Sequence, residues 1–165
     1  MEQEIRDALE QAYTGEAKAA LRLKVFADVA EKEGYPQIAK LFRVISFSEE
    51  VHGARALRVL RETRSTEENL QSSFESEETV ARVAYEEFLR KATDRGEKGA
   101  AVHFSQSRDV EEGHAKLYKN ALTDMMSERE TTYHVCTVCG YVSDGDLPDD
   151  CPVCGVTKEK FVSFS

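Results

Sequence analysis

Three features are missing from most of this 165-residue chain: cysteine, long apolar runs and an excess of positive charge. Cysteine is absent before residue 136, which excludes disulfide staples from most of the chain. No apolar run reaches the roughly 18 residues that a transmembrane helix needs. The formal net charge of −9 argues against nucleic acid and anionic membrane surfaces as partners.

The amino terminus also lacks the features of a secretory signal. Residues 1–6 open an acidic amphipathic helix and contain neither a basic start nor an apolar segment. We therefore expect a cytoplasmic protein, in which cysteines stay reduced and available as metal thiolates. A length of 165 residues allows one ordinary domain, or one domain with a small appendage, and the 41% apolar and 32% charged content is that of a soluble globular protein.

A carboxylate and an imidazole lie three residues apart at Glu49 and His52, which places them one turn apart on a single helix face. The same pattern returns 62 positions later at Glu111 and His114. This offset predicts that the first 130 or so residues contain one helical hairpin twice. It also relates four other pairs: Glu16 with Glu78, Phe26 with Phe88, Gly34 with Gly96, and Phe42 with Phe104.

Apolar residues recur at alternating spacings of four and three along four predicted helices, and six ligand-type residues occupy positions in these stripes. In each hairpin about 18 residues separate the lone glutamate from the turn, and about 15 separate the turn from the Glu-x-x-His pair. All six side chains should therefore meet at one depth in the bundle. They are Glu16, Glu49, His52, Glu78, Glu111 and His114.

Four carboxylates are not tolerated bare in a bundle interior, since an uncompensated buried charge costs on the order of several kcal/mol. Two divalent cations would balance them, and oxygen-rich ligation with one imidazole per metal favours iron or manganese over zinc or calcium. The layout is that of ferritin-like di-iron proteins, an all-α four-helix bundle built from two hairpins. The predicted helices span residues 3–33, 36–64, about 72–96 and from there to about 128.

A polar segment, residues 65–73, is predicted to connect the hairpins, with Ser72 and Glu75 as a capping box for the third helix. Di-iron bundles relate their hairpins by a two-fold axis perpendicular to the helices, so the third helix must start at the far end of the second. About ten extended residues reach ~33 Å, enough to run along the bundle or to cross to a neighbouring subunit. The sequence leaves both routes open.

The four cysteines form two Cys-x-x-Cys pairs, each followed by glycine, within the last 30 residues. We place a domain boundary between residues 130 and 131, because residues 131–165 shift to short β-type runs and are too few for a core without a metal staple. The pairs predict a tetrahedral four-thiolate site, and spacing alone leaves a structural zinc and a rubredoxin-type iron open. Its ligands are Cys136, Cys139, Cys151 and Cys154.

Four aromatic residues are predicted to form the small core around this metal: Tyr133, Tyr141, Phe161 and Phe164. His134, two residues before the first cysteine, is predicted to lie at the surface. His103 is predicted to be exposed or half-buried and receives no role.

A duplicated Glu-x-x-His bundle followed by Cys-Thr-Val-Cys-Gly-Tyr and Cys-Pro-Val-Cys-Gly resembles rubrerythrin over essentially the whole chain. The resemblance implies a non-haem di-iron peroxidase with a rubredoxin-like tail. Hydrogen peroxide would be reduced to water with electrons from NAD(P)H, passed through a separate reductase or rubredoxin to the four-cysteine iron. Family members are homodimers or larger, with the four-cysteine iron of one subunit near the di-iron site of another.

One position departs from the family pattern. Rubrerythrins usually carry an additional glutamate three residues after the ligand of the third helix, and Ala81 stands at that position when Glu78 is the ligand. Tyr85, seven residues after Glu78, falls where a tyrosine would contact a ligand of the cofactor, and a plain core aromatic is the equal alternative.

Two other functions stay open at this point. One is a ferritin-like ferroxidase or iron-handling protein, and the other is a structural bundle whose zinc ribbon serves as a docking module. The four-cysteine tail argues against simple iron storage, because storage needs no electron donor. A red preparation with thiolate-to-iron absorption would favour the peroxidase, and a colourless one with zinc would favour the structural bundle.

Overall fold

The structure is a computed structural model that describes residues 1–124 and 130–165, with long helices followed by a small sheet. Its α-helices in these ranges are α1 (Gln3–Lys32), α2 (Pro36–Leu60), α3 (Thr66–Thr79), α4 (Glu86–Asp94) and α5 (Lys98–Asp124). A π-helical segment, Val80–Tyr85, joins α3 to α4. The chain forms two compact units, Met1–Arg64 and Ser65–Ser165.

In the first unit α1 and α2 pack as a hairpin through small residues. Ala27, Ala30 and Ala39 form the buried core with Phe42 against it, and their short side chains let the helix backbones approach closely. The buried Ser46 hydroxyl donates a hydrogen bond of 2.9 Å to the Ala20 carbonyl. This bond ties the two helices together one turn before Glu49.

The hairpin turns lie where the sequence predicts them. Gly34 lies in the turn that follows α1, with φ +81°, and Gly96 lies in the turn that follows α4, with φ +71°. Both angles fall in the left-handed region that favours glycine, because a side chain there meets its own backbone. The observed α5 extends to Asp124, and the predicted end of this helix near residue 128 lies outside the described residues.

The connection between the hairpins differs from the prediction. Helix α3 already starts at Thr66, and Ser65 forms the capping box with Glu68 in place of Ser72 with Glu75. The first turns of α3 are polar, and for that reason they read as a linker in the sequence. The true connection is residues 61–65, five residues long.

The carboxyl-terminal part of the second unit is a three-stranded antiparallel sheet of order β2-β1-β3. The strands are β1 (Tyr133–Cys136), β2 (Val142–Asp144) and β3 (Phe161–Phe164). Cys136 pairs with Phe161 at one end of the sheet. The small size of the sheet fits a domain stapled by metal, and the predicted division into residues 1–130 and 131–165 stays a prediction.

Two of the four aromatic residues predicted for this core behave as expected. Tyr141 and Phe161 meet edge to face with ring centroids 6.5 Å apart. Tyr133 and Phe164, in contrast, are exposed, Phe164 by 57%, because their positions alternate onto the open face of the sheet. Within the described ranges no helix is long and apolar enough to cross a membrane.

Candidate metal centres

In the first unit three predicted ligands come together. Helix α1 supplies Glu16, and α2 supplies Glu49 and His52, with ligand atoms of all three within 4.8 Å of one another. His52 Nδ1 lies 3.3 Å from Glu49 Oε2 and 3.8 Å from Glu16 Oε1. Gly53 is buried beside them, and a Cβ there would stand 3.6 Å from Glu16 Cβ, so this glycine lets the helices meet at the triad.

The pKa values of the two carboxyl groups of this triad shift in opposite directions because the groups interact. A hydrogen bond to Glu49 raises the pKa of Glu16, with smaller contributions from burial and the Glu49 charge. The same hydrogen bond lowers the pKa of Glu49, and His52 adds to that effect. A bound cation would favour the charged form of both carboxylates, as it does for metal ligands in general.

The second unit contains a matching triad of Glu77, Glu111 and His114, again with ligand atoms within 4.8 Å. His114 Nδ1 lies 2.8 Å from Glu111 Oε2. Burial and then the charge of Glu111 raise the pKa of Glu77, whereas His114 lowers it. The two triads therefore have the same composition and the same carboxylate repulsion, and each suits one divalent cation.

The residue of α3 that joins this group is Glu77, whereas the sequence predicted Glu78. Glu78 Oε1 lies 3.3 Å from Arg82 Nη1, an exposed ion pair one turn along the helix. Glu78 and Ala81 line an open cleft with residues of α5 that include Lys116 and Lys119. The structure thus corrects the predicted group by one residue, since it places Glu77 beside Glu111 and His114 and leaves Glu78 outside.

The π-helical segment explains the shift. Ala30 and Ala92 are both buried and are 62 positions apart, as the repeat predicts, but the buried Ala20 corresponds to Ala81 at an offset of 61. The change of offset falls within Val80–Tyr85, because a π-helical turn accommodates one extra residue. Glu16 therefore corresponds to Glu77.

The correspondence of Glu16 with Glu77 also changes which residue lies three positions after the candidate ligand in the second hairpin. In the first unit that residue is Ala19, and in the second it is Val80, in place of Ala81. Both are half-buried and apolar. Neither hairpin offers a further carboxylate at this position.

His114 also contacts the four-cysteine domain of its own unit. Its Nε2 lies 3.3 Å from the Gly140 carbonyl oxygen, and a Cβ on Gly140 would stand 3.8 Å from Val110 Cγ1. With Nε2–H donating to this carbonyl, the lone pair of Nδ1 points to the triad, which is the tautomer that a metal ligand needs. Gly140 is the residue after Cys139, so one hydrogen bond joins the two candidate sites.

The four cysteines are free and their sulfurs converge. Cys136 Sγ and Cys154 Sγ are 3.7 Å apart, and Cys139 Sγ and Cys151 Sγ are 3.6 Å apart. A tetrahedron with metal–sulfur bonds of about 2.3 Å has edges of about 3.8 Å, whereas a disulfide would need about 2.05 Å. The spacing fits one tetrahedral ion and no disulfide.

Backbone amides of the two turns point at the sulfurs. Burial raises the pKa of Cys136, but N–H groups of Cys139 and Val138 outweigh it and bring the pKa down to about 7. The N–H of Tyr141 donates to Cys139, although burial still raises the pKa of that thiol. Amide donors of this kind stabilise thiolate charge and therefore favour metal ligation.

His134 is buried, contrary to the surface position predicted. It is 9% exposed, with Nδ1 2.8 Å from Ser163 Oγ and Nε2 3.0 Å from the Gly145 carbonyl. It therefore ties β1 to β3 and to the turn after β2. His103, in contrast, is exposed and lies against Phe104.

Replacing His134 with Ala should destabilise the four-cysteine domain by about 1–3 kcal/mol, because both ring partners lose a buried hydrogen bond. The measurement is the thermal midpoint of the thiolate-to-metal absorption, compared with the exposed histidine variant His103→Ala. We expect a lower midpoint for His134→Ala alone. Equal midpoints in the two variants would contradict a structural role for this residue.

Tyr85 lies in a cluster of aromatic residues with Phe88 and Phe104. Its ring centroid is 6.1 Å from that of Phe88 and 6.2 Å from that of Phe104. These contacts support a core role, and the predicted contact with a ligand of the cofactor stays a prediction.

Comparison with known proteins places these sites in a family. The family model described as Rubrerythrin matches residues 7–122, and that of the rubrerythrin rubredoxin-like domain matches residues 134–162. Rubrerythrin-2 of Clostridium acetobutylicum is 30% identical over 175 residues, covering 96% of this chain and 95% of that protein. Nigerythrin of Nitratidesulfovibrio vulgaris is 28% identical over 170 residues, covering 94% and 84%.

A solved structure of nigerythrin in its fully reduced, all-ferrous state is 28% identical to this chain. It has a TM-score of 0.60 and covers 96% of this chain and 86% of that one. The fold and both metal-binding regions predicted from the sequence are confirmed: a ferritin-like bundle with di-iron-type Glu/His groups and a rubredoxin-like four-cysteine domain.

Proposed function

Because this chain belongs to the rubrerythrin family of di-iron proteins of oxidative-stress defence, we propose that it is a peroxidase that reduces hydrogen peroxide to water. The observation that carries the proposal is the pair of matching triads together with a hydrogen-bonded four-cysteine domain. A storage protein needs the first feature but not the second.

The proposed bundle ligands are the two triads. Each triad brings two carboxylates, which balance the charge of one divalent cation, and one imidazole, which favours iron over calcium or magnesium. Two ferrous ions held by these residues would supply the two electrons that, together with two protons, reduce one hydrogen peroxide to two waters. The proposed ligands are Glu16, Glu49, His52, Glu77, Glu111 and His114.

The protein's own contribution is to orient these ligands. The Gly140 carbonyl fixes the ring of His114, and Gly53 lets Glu16 approach the helix that carries Glu49 and His52. Burial, and then the charge of Glu111, raise the pKa of Glu77, and a bound cation would favour its charged form. The site then reaches charge balance without a further carboxylate.

We propose iron in the four-cysteine site, since a redox-inert zinc would leave the peroxidase without a resident electron carrier. The hydrogen bond between His114 Nε2 and Gly140 connects the two sites within one unit. Electrons would come from NAD(P)H through a separate reductase or a rubredoxin. A reducing, cytoplasmic location fits the four free thiols and stays a prediction.

The proposal is tested by the choice of oxidant. Anaerobically reduced protein should consume one hydrogen peroxide per bundle site, yield water without dioxygen, and turn over continuously with NADH and a reductase. A ferroxidase would instead oxidise added ferrous iron with dioxygen and retain the ferric product. Slow reaction with peroxide beside fast dioxygen-driven iron uptake would contradict the peroxidase.

A further inference from the structure

The connection between the hairpins is too short for a bundle made within one chain. Residues 61–65 link α2 to α3, and both ends are fixed: Arg61 is left-handed with φ 59°, and Ser65 caps α3. Even fully extended at about 3.6 Å per residue, the path from Leu60 to Thr66 spans at most about 22 Å.

In the ferritin-like arrangement the connection between α2 and α3 has to span a longer distance. Glu49 lies 11 residues before the end of α2, and Glu77 lies 11 residues after the start of α3. At about 1.5 Å per residue, each of these helix ends stands ~17 Å from the level of the ligands. A two-fold axis perpendicular to the helices puts the ends on opposite sides of that level, ~33 Å apart along the bundle. The connection falls short by roughly 11 Å before any sideways step.

The first hairpin also needs a partner for its apolar surface. On the helix faces that carry Glu16 and Glu49, Phe26 is 44% exposed, Ile38 47% and Ile45 39%. Two helices alone cannot cover such faces, and a surface of this kind is buried in a stable protein. His52, a proposed ligand, has 53% of its side chain exposed.

We propose that two copies of this chain exchange hairpins, so that the α1–α2 hairpin of one copy completes the bundle formed by the second hairpin of the other. Each di-iron site then takes Glu16, Glu49 and His52 from one chain and the second triad from its partner. The triads carry identical ligand types, so a site built across two chains has the full set of six. Hairpin exchange is a known route to symmetric dimers where a connection is short.

The proposal rests on the proposed di-iron site and adds which chain supplies each half. It places the rubredoxin-like domain on the same chain as the triad that it contacts through His114 and Gly140. The family resemblance implied that the four-cysteine iron of one subunit lies near the di-iron site of another. Here the crossing element is the first hairpin.

The test combines two variants, each of which lacks one metal ligand in a different hairpin. Glu49→Ala and Glu111→Ala chains carrying different tags are co-expressed, and the mixed dimer is purified through both tags. With exchange, one site receives both substitutions and the other receives neither, so the mixed dimer should hold about half of the bundle iron of the wild type. Each variant alone should hold little, because every site lacks one ligand.

Without exchange, each site of the mixed dimer lacks one ligand, and bundle iron stays as low as in either variant alone. That result, or a monomeric wild type by light scattering, would overturn the proposal. A wild type that is dimeric but has no bundle iron would instead refute the di-iron site itself, so the two failures are distinguishable. Iron is counted chemically and by the absorption of the bundle, independently of activity.

A lengthened connection provides the matched control. Inserting about twelve Gly and Ser residues between Glu62 and Thr63 gives a reach that exceeds the ~33 Å required. Hairpins of one chain can then pair with each other, and the rescue in the mixed dimer should fall well below half. Unchanged rescue in the lengthened chain would contradict the argument from the length of the connection.

Discussion

Replacing Glu77 with Ala should remove most of the iron from the bundle, whereas replacing its neighbour Glu78 with Ala should leave the iron content unchanged. Glu77 lies in the triad with Glu111 and His114, and Glu78 pairs with Arg82 on another side of the helix. Loss of an outer-shell partner alone weakens metal binding about 10–100-fold, so loss of a direct ligand should cost more than about 100-fold in affinity.

The adjacent pair makes a stringent comparison, because the two variants have the same composition and the same charge. Iron per chain and the affinity for a spectroscopic probe such as Co²⁺ are measured for both. The absorption of the four-cysteine site serves as an internal standard in each sample. If Glu78→Ala loses the iron and Glu77→Ala keeps it, the π-helical register described here is wrong.

Replacing Cys139 with Ser should lower the steady-state rate of peroxide reduction with NADH and reductase by about 100-fold or more. A chemically reduced bundle should still react once with peroxide. The reason is that peroxide takes two electrons, and the four-cysteine site is the proposed carrier that renews them. Cys139 precedes the carbonyl that contacts His114, so its loss also disturbs the connection between the sites.

A second form of the protein separates electron transfer from folding of the tail. Zinc placed in an intact four-cysteine site keeps tetrahedral geometry but carries no electrons, because it has no accessible redox state. This form should show the same loss of turnover with normal thermal stability. Turnover equal to that of the iron form would contradict the electron-carrier role.

The sequence was sufficient for the ligand types, because one helical face and one offset relate the two hairpins. His52 and His114 lie 62 positions apart, as do Glu49 and Glu111. All four lie in the two triads of the structure. The same offset failed for the third helix, since a π-helical turn shifts the register by one residue. With glutamate at both 77 and 78, no local pattern could choose between them.

Other differences arise from interactions distant in sequence. Ser65-x-x-Glu68 and Ser72-x-x-Glu75 are equally good capping patterns, and the structure uses the first, in a helix that packs against α5. His134 is buried because β3, about 30 residues later, pairs with β1 and supplies Ser163. Neither contact has a signature near the residue concerned.

Diffraction data collected at the iron absorption edge, from oxidised and from reduced crystals, test the central claim most directly. We expect two anomalous peaks in each bundle, one beside His52 and the other beside His114, with Glu77 as the third-helix ligand. Both imidazoles should stay bound in both states, because Ala19 and Val80 offer no alternative carboxylate. A single peak, an iron bound by Glu78, or an iron that leaves its histidine on reduction would contradict it.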